Sequence, residues 1–498
     1  MARRKTSGHL ESEAAGEAFD LVVIGAGIAG LNALHAAKHY LPNGAAVLLI
    51  DEKPTPGGMW NLAYDYVRLH QPHPMFTVGD IRWSWSKPRT YLAKGDEVRD
   101  HLAATLEAVA EGLNLKTCFG HTAVAAEEVQ TAGGCRARIR FHPNDRPGQT
   151  RTVETVRAIH ASGLNYHVPK PLPFSSASVV SAIPQTLSAT LADNPGAAVY
   201  VVGGGKTGMD TVLAVLAEDP RRQMSLINGR GTNFLNREKY FPTGVRRWAS
   251  GNLVSGLFRD LALTFDGTNE NELLAHLRRH HAVDPNSTNT AFLYGLLSQD
   301  EHRRITAGLT RTYHSYLMDV SDSAAGPQIE LRDGTREPVI PGSIFVNCTG
   351  SFFRTADMEA ERPCVSPHGT VLSLTMRDGF HFLTSVAAFT LTHLLYRNTL
   401  RRQSFYTLDH EALFRQNRNA WVGASAAQAY MNEVLTIQTL PMRLLEHCGL
   451  DLDQWYPRPR RIVGLLRMKA TADRDIGRCR LALDRVAGRF GIHCAELE

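Results

Sequence analysis

The sequence predicts an α/β protein built on two strand–glycine loop–helix units, with a helical insertion and a helical C-terminal extension. Three observations predict it. "LVVIGAGIAGLN" (21–32) and "VYVVGGGKTGMD" (199–210) each run from an apolar strand through glycines into a helical pattern. Each is followed by a second short apolar strand, "AAVLLI" and "MSLIN". Gly25 and Gly203 lie 178 residues apart, so the loops head two separate units.

In the first unit, Gly25-x-Gly27-x-x-Gly30 follows the strand Leu21 to Ile24. Gly25 makes the tight strand-to-helix turn, and Gly27 lets backbone amides approach a pyrophosphate. Gly30 allows the helix to pack on the strand. The positive end of the helix then faces the anion. The second strand ends in Asp51-Glu52, where an acid binds the ribose hydroxyls of a dinucleotide. Either acid fits: Glu52 if the strand runs through Asp51, Asp51 if one counts back from Gly57.

The second loop contains "GKT", which invites a P-loop reading. A P-loop needs G-x4-G-K-[ST], and five positions before Gly205 stands Tyr200, so that reading fails. Gly203-x-Gly205-x-x-Gly208 fits a second Rossmann-like dinucleotide fold instead. Its second strand ends without an acid and with Arg230 nearby, which favours the 2'-phosphate of NADPH over the 2'-hydroxyl of NADH. Arg230 as an exposed turn residue is the alternative. Lys206, with Thr207 beside it, adds charge near the phosphates. Two such folds imply two nucleotide cofactors, FAD in the first and NADPH in the second, with hydride passing to the flavin.

The 498 residues allow two or three domains, and 43% hydrophobic with 21% charged residues is ordinary globular composition. A net charge of +5 without a concentrated basic patch argues against a nucleic-acid partner. No apolar stretch approaches the ~20 residues of a membrane span. Residues 1–17 read as a solvated tail rather than a secretory signal. The seven cysteines form no C-x-x-C pair, so no metal site and no redox dithiol are expected, and their odd number suits a reducing cytoplasm.

Several stretches resemble the class B flavoprotein monooxygenases, the group of flavin-containing and Baeyer–Villiger monooxygenases. "DEKPTPGGMW" resembles their acid–spacer–G-G-x-W segment, which brings Gly58, Met59 and Trp60 to the FAD. "YDYVRLHQPHPMFTVGDIRW" resembles the segment beside the flavin ring. "AIHASGLNYHVPKPLPF" (158–174) is similar to the A-T-G-x4-P-x-x-P crossover, and "IFVNCTGSFFR" (344–354) to the return strand. One element departs: at the family's F-x-G-x3-H fingerprint Phe174 is kept, but Ser176 and Val180 replace the glycine and histidine.

The resemblance implies a discontinuous FAD domain (18–165 and 345–405) and an NADPH domain (166–344) enlarged by a helical insertion at 231–320. Residues 406–498 form a helical region that is either a homodimer contact or a cover for the FAD domain. Thr384 and Ser385 open a helix whose amino end faces the flavin's pyrimidine edge; a plain buried helix start is the alternative. The implied reaction is transfer of one oxygen atom from O2 to a small-molecule substrate through a flavin C4a-(hydro)peroxide. His70 and Arg68 are the catalytic candidates, His70 as a donor near the reactive edge of the flavin, with simple satisfaction of a backbone group as its alternative. Arg68-x-His70 stands where Baeyer–Villiger enzymes show arginine and aspartate, which favours heteroatom or carbon oxygenation over ketone insertion. The altered fingerprint leaves an NADPH-dependent flavin reductase or dehydrogenase as the second reading.

Overall fold

A computed structural model describes residues 18–163, 166–350, 363–375, 379–446 and 452–497. The tail at 1–17 lies outside them.

Phe19–Ile24 is a central strand because five of its six side chains are buried between layers. It pairs in parallel with Ala46–Asp51 on one side and Arg151–His160 on the other. Among the described residues this first sheet has seven strands. Asn114–Phe119 forms the parallel edge beyond Ala46–Asp51, and Gly134–Pro143 and His121–Thr131 add an antiparallel wing to Arg151–His160. Helix Ile28–Lys38 leaves the strand directly and packs along helix Thr384–Tyr396. Gly30 permits this start, since a Cβ there would overlap the Gly25 carbonyl.

The second sheet runs Arg311–Tyr313, Met224–Ile227, Val199–Val202, Ile344–Asn347, Val180–Ala182, all parallel. Helix Lys206–Glu218 follows its central strand, with Gly208 over the Gly203 carbonyl in the same relation as Gly30 to Gly25. The architecture is thus α/β with two Rossmann-like units. Among the described residues no helix is long and apolar enough to cross a membrane.

Two boundaries differ from expectation. Ile344–Asn347 belongs to the second sheet, paired with Val199–Val202 and Val180–Ala182, so the first domain does not resume at 345. The chain rejoins the first sheet at Val371–Ser373, beside Ala158 to His160. A fully buried four-residue strand, apolar up to its final Asn347, reads the same in either sheet, which is why the pattern could not choose. Residues 351–354 of the expected return segment lie outside the described residues.

The insertion is mixed rather than helical. Thr232–Asn236 and Ala291–Leu297 form a parallel pair, with helices Val254–Thr264 and Glu270–His281 between them in sequence. Residues 300–317, "DEHRRITAGLTRTYHSYL", have apolar residues at the three-to-four spacing of one amphipathic helix, yet the chain there divides between helix Gln299–Gly308 and strand Arg311–Tyr313, which returns to the second sheet. In the C-terminal region, helix Arg418–Thr439 packs on both Val254–Thr264 and the 33-residue helix Arg458–Phe490. It is buried over most of its length, as its run of alanines allows.

Burial pushes the imidazoles of His381, His393 and His410 down to about 3, with neighbouring histidines adding to the effect at the last two. An unfolded chain takes up protons at these positions below about pH 6.5, while the folded one does not until near 3. Stability therefore falls on acidification through that window, by about 1.4 kcal/mol per pH unit for each such histidine. Thermal unfolding followed from pH 7 to 5 should show a steadily falling midpoint; a flat profile would mean these side chains are not held neutral.

Candidate functional site

Gly25 takes a φ of +106°, open to glycine and strained for other residues, and turns the chain from strand to helix. Against this loop lies the turn at Gly57 and Gly58, tied by Gly57 N–H to the Ala26 carbonyl at 3.0 Å. A Cβ on Gly58 would stand 2.9 Å from the Gly27 Cα, so the two glycine segments are in direct backbone contact. Met59 is 45% exposed beside them, and Trp60 packs edge-on against Phe76.

The two acids left open by the sequence divide. Asp51 is buried, and its carboxylate accepts from the amides of Ala26 at 2.5 Å and Lys53 at 2.7 Å. Burial outweighs these bonds and raises its pKa. Glu52 is exposed, 2.7 Å from Lys53 Nζ, and is the acid that faces solvent at the strand end. Asp51 thus braces the glycine loop.

In the second loop, a Cβ on Gly203 would meet the Cys348 carbonyl at 2.8 Å, whereas Gly205 faces open space. Lys206 pairs with Asp210 one turn on. Arg230 is exposed and donates from Nε to Thr290 Oγ1 at 3.2 Å. At the strand end, where an acid is lacking, the Asn228 Oδ1 is buried and accepts no hydrogen bond. Helices Ile28–Lys38, Lys206–Glu218 and Thr384–Tyr396 each begin without a side-chain cap and without an acid in the first turn. Their first N–H groups, with the positive helix end, suit an anion or an electron-rich group. Thr384 and Ser385 are half-buried at the third of these starts.

The stretch 64–70 joins the two units. Tyr64 Oη donates to Asp210 Oδ2 at 2.9 Å, and Tyr66 Oη lies 2.8 Å from Thr211 Oγ1. Thr211 in turn reaches Cys348 Sγ at 3.3 Å. His70 is then locked to the insertion. Its Nδ1 accepts the Leu296 amide at 3.2 Å, and its carbonyl accepts Arg237 Nε at 2.7 Å. Arg237 also reaches the Leu296 carbonyl at 3.4 Å and pairs with Glu301 at 2.8 Å. With Nδ1 accepting, the hydrogen of the neutral ring sits on Nε2. Burial, assisted by the charges of Lys206 and Arg237, holds the imidazole down to about 3, so it stays a neutral donor across the working range of pH.

Leu296 is presented to His70 by a bulge. The register between the two insertion strands shifts between Asn233 and Leu235, and Tyr294 sits there with a φ of +56°. A tyrosine in the left-handed region costs energy that its surroundings must offset. Tyr294 Oη donates to the Val422 carbonyl at 2.7 Å, and its ring stacks on Phe382 with centroids 5.0 Å apart.

The structure therefore brings His70 within the influence of the Lys206 charge at the start of the second unit's helix, and separates Arg68 from His70. Arg68 is exposed, donates to the Leu92 carbonyl at 3.1 Å and leans over Tyr91. Asp210, Arg237, Glu301, Tyr64 and Tyr66 were not singled out from the sequence. The Lys206-x3-Asp210 spacing and the alternation in "YDYVRLH" were legible signals for three of them. Arg237 and Glu301 carry none, because their partner lies far away in the chain.

Residues 19–241 match the pyridine nucleotide-disulphide oxidoreductase family, a span that takes in both glycine loops and the junction stretch. Uncharacterized proteins of Mycobacterium tuberculosis and Mycobacterium bovis are 27% identical over 369 residues, 69% of this chain. The chain spans 61% of the length of these relatives. Among solved structures, an ornithine hydroxylase from Pseudomonas aeruginosa is 14% identical with a TM-score of 0.49, covering 76% of this chain and 99% of its own. A flavin-containing monooxygenase from Stenotrophomonas maltophilia (16%, TM-score 0.45) covers 78% and 99%. A bacillithiol disulfide reductase from Staphylococcus aureus (9%, TM-score 0.45) covers 78% and 99%.

Replacing Asp210 by Asn leaves the Lys206 charge without its partner and weakens the Tyr64 bond. Loss of one partner of such a part-buried pair costs about 2–4 kcal/mol. Removing the Tyr66 hydroxyl (Tyr66→Phe) costs about 1 kcal/mol. Denaturant unfolding of the two variants should rank them in that order, and equal small losses would show that the Lys206–Asp210 pair does not bear on the junction.

Proposed function

We propose that the protein is an FAD- and NADPH-dependent monooxygenase that places one oxygen atom from O2 into a small organic molecule, at a heteroatom or at carbon. The observation that carries this reading is the junction stretch 64–70. It is bonded to the first helix of the second unit at Tyr64 and Tyr66 and presents His70 as a neutral Nε2–H donor.

The residues fit FAD in the first unit. The glycine segments around Gly27 and Gly58 meet backbone to backbone with no Cβ between them, and the uncapped start of Ile28–Lys38 supplies N–H groups for a pyrophosphate. Glu52 would take the ribose hydroxyls, with Met59 and Trp60 alongside. NADPH fits the second: Gly205 borders open space, and the orphaned Asn228 Oδ1 offers an acceptor to a ribose hydroxyl. Arg230, on the surface beside it, would take the 2'-phosphate.

Bound flavin supplies hydride acceptance and reaction with O2. The chain's own contribution is positioning and charge. His70 donates from Nε2, fixed in that tautomer by Leu296 and kept uncharged by its surroundings. A fixed donor in a dry site stabilises developing negative charge without reorganising. Arg237 does not touch the reacting region; it holds the His70 backbone. Lys206 and Thr207 sit at the uncapped helix start that would hold the nicotinamide cofactor's phosphates.

One observation favours the second reading, an NADPH-dependent reductase or dehydrogenase without oxygen insertion. The altered fingerprint segment is anchored to a neighbouring strand, Leu317–Ser323: Ser176 Oγ donates to Asp322 Oδ1 at 2.6 Å, and the Ser175 amide to Asp319 Oδ1 at 3.0 Å. Anaerobic reduction by NADPH followed by mixing with labelled O2 and a panel of amines, sulfides and ketones separates the two. Labelled oxygen in an organic product supports the monooxygenase; complete release as H2O2 with every compound would overturn it in favour of the reductase.

His70→Ala should leave reduction by NADPH intact while oxygenation falls about 100-fold and H2O2 per NADPH rises. Unchanged coupling would reduce His70 to a structural residue. Arg230→Ala should raise the Michaelis constant for NADPH far more than for NADH, and equal effects would remove it from the 2'-phosphate site.

A further inference from the structure

Away from the junction, the insertion brings two histidines onto one carboxylate. Asp260 projects from helix Val254–Thr264, and His276 and His281 from helix Glu270–His281, which follows after a tight turn. Both histidines place Nε2 against the same oxygen, Asp260 Oδ2, at 2.6 Å and 2.7 Å. The three donor atoms lie within 4.8 Å of one another. His281 is 6% exposed, and its other ring nitrogen, Nδ1, lies 2.5 Å from Tyr240 Oη.

We propose that Asp260, His276 and His281 form a binding site for a borderline first-row divalent cation, with zinc as the best-suited metal. Two imidazoles and a carboxylate are the donor set that such ions take, leaving one or more positions for water. A ligating histidine characteristically engages an oxygen through its other nitrogen, which fixes the ring and raises its basicity. Tyr240 occupies that place behind His281. On metal binding each neutral ring changes tautomer, its one proton moving from Nε2 to Nδ1 with no net loss, so that Nε2 is free to ligate and His281 Nδ1–H donates to Tyr240 Oη. Each nitrogen then moves roughly 0.6–0.7 Å further from the Asp260 oxygen than its present 2.6 or 2.7 Å, since ligands 2.0–2.1 Å from a tetrahedral centre stand ~3.3 Å apart.

The access side supports the same reading. Asp260 is one of the residues lining a cavity of about 570 Å³ between helices Val254–Thr264 and Arg458–Phe490, so water reaches the cluster. The other grouping of this kind among the described residues, Glu128 with Cys135 and His368, is unlike it. Glu128 is already taken up by the Ser366 and Thr370 hydroxyls and by loop amides, which makes it a loop brace. In the Asp260 site the ion would staple two consecutive helices of the insertion, the element that also holds His70.

The test uses the full chain, stripped of metal by a chelator that is then removed. Zn²⁺ is titrated against a chromophoric competitor, and Co²⁺ binding is read from its visible d–d absorption. The expected result is one equivalent of tight Zn²⁺, a tetrahedral or five-coordinate Co²⁺ spectrum, and a raised unfolding temperature with Zn²⁺. His276→Ala, on the half-exposed ligand, should weaken binding at least about 30-fold, and Tyr240→Phe about tenfold. Asp260→Asn provides a second ligand variant should His276→Ala fold poorly, with circular dichroism as the check on folding. Absence of stoichiometric binding, or binding that both folded ligand variants retain, would overturn the site.

Discussion

The candidate site depends on one short stretch of backbone belonging to two units at once. Residues 64–70 leave the first sheet's domain, bond to the second unit's opening helix through Tyr64 and Tyr66, and end at His70 clamped to the insertion. Remove that sharing and the first unit loses its bonds to the second unit's helix and to the insertion through this stretch. The clamp is a closed ring: Arg237 holds the His70 carbonyl and the Leu296 carbonyl, and the Leu296 amide holds the His70 ring. Each bond alone contributes about 1 kcal/mol, but together they leave the imidazole one tautomer and one orientation.

The clamp explains features that look unrelated. The strained backbone at Tyr294 is the cost of bulging a strand so that Leu296 meets His70. That cost is offset where Tyr294 is gripped, by the Val422 carbonyl on helix Arg418–Thr439 and by Phe382 just ahead of helix Thr384–Tyr396. The C-terminal region thereby acts on the site from a distance. Its small-residue helix lets Val254–Thr264 approach closely, as at Gly423, where a Cβ would press on the Phe265 ring. The mixed insertion is the layer between, touching the junction on one side and the C-terminal helices on the other. The Asp260, His276 and His281 cluster lies within that layer.

The two glycine loops also show how similar motifs divide their chemistry. In the first, a buried carboxylate, Asp51, props the loop by its amides, leaving Glu52 at the surface. In the second, no acid stands at the strand end, and Asn228 offers a buried acceptor instead. The cation of the second loop, Lys206, is held by Asp210 beside the junction.

The sequence by itself determined the local geometry: both glycine loops, their strands and helices, and the absence of an acid beside Arg230. These follow from constraints that act within a few residues, such as a left-handed φ at Gly25 or a Cβ that cannot fit at Gly208. Only the tertiary structure decided which sheet Ile344–Asn347 joins, that the insertion sets a parallel strand pair among its helices, that Arg68 turns away from His70, and what fixes the imidazole. A buried apolar run carries no mark of its neighbour, and a hydrogen bond between residues 226 positions apart, as between His70 and Leu296, leaves no period in the chain. Such partners are selected by packing of the whole molecule, where burial and the satisfaction of every polar group are settled together.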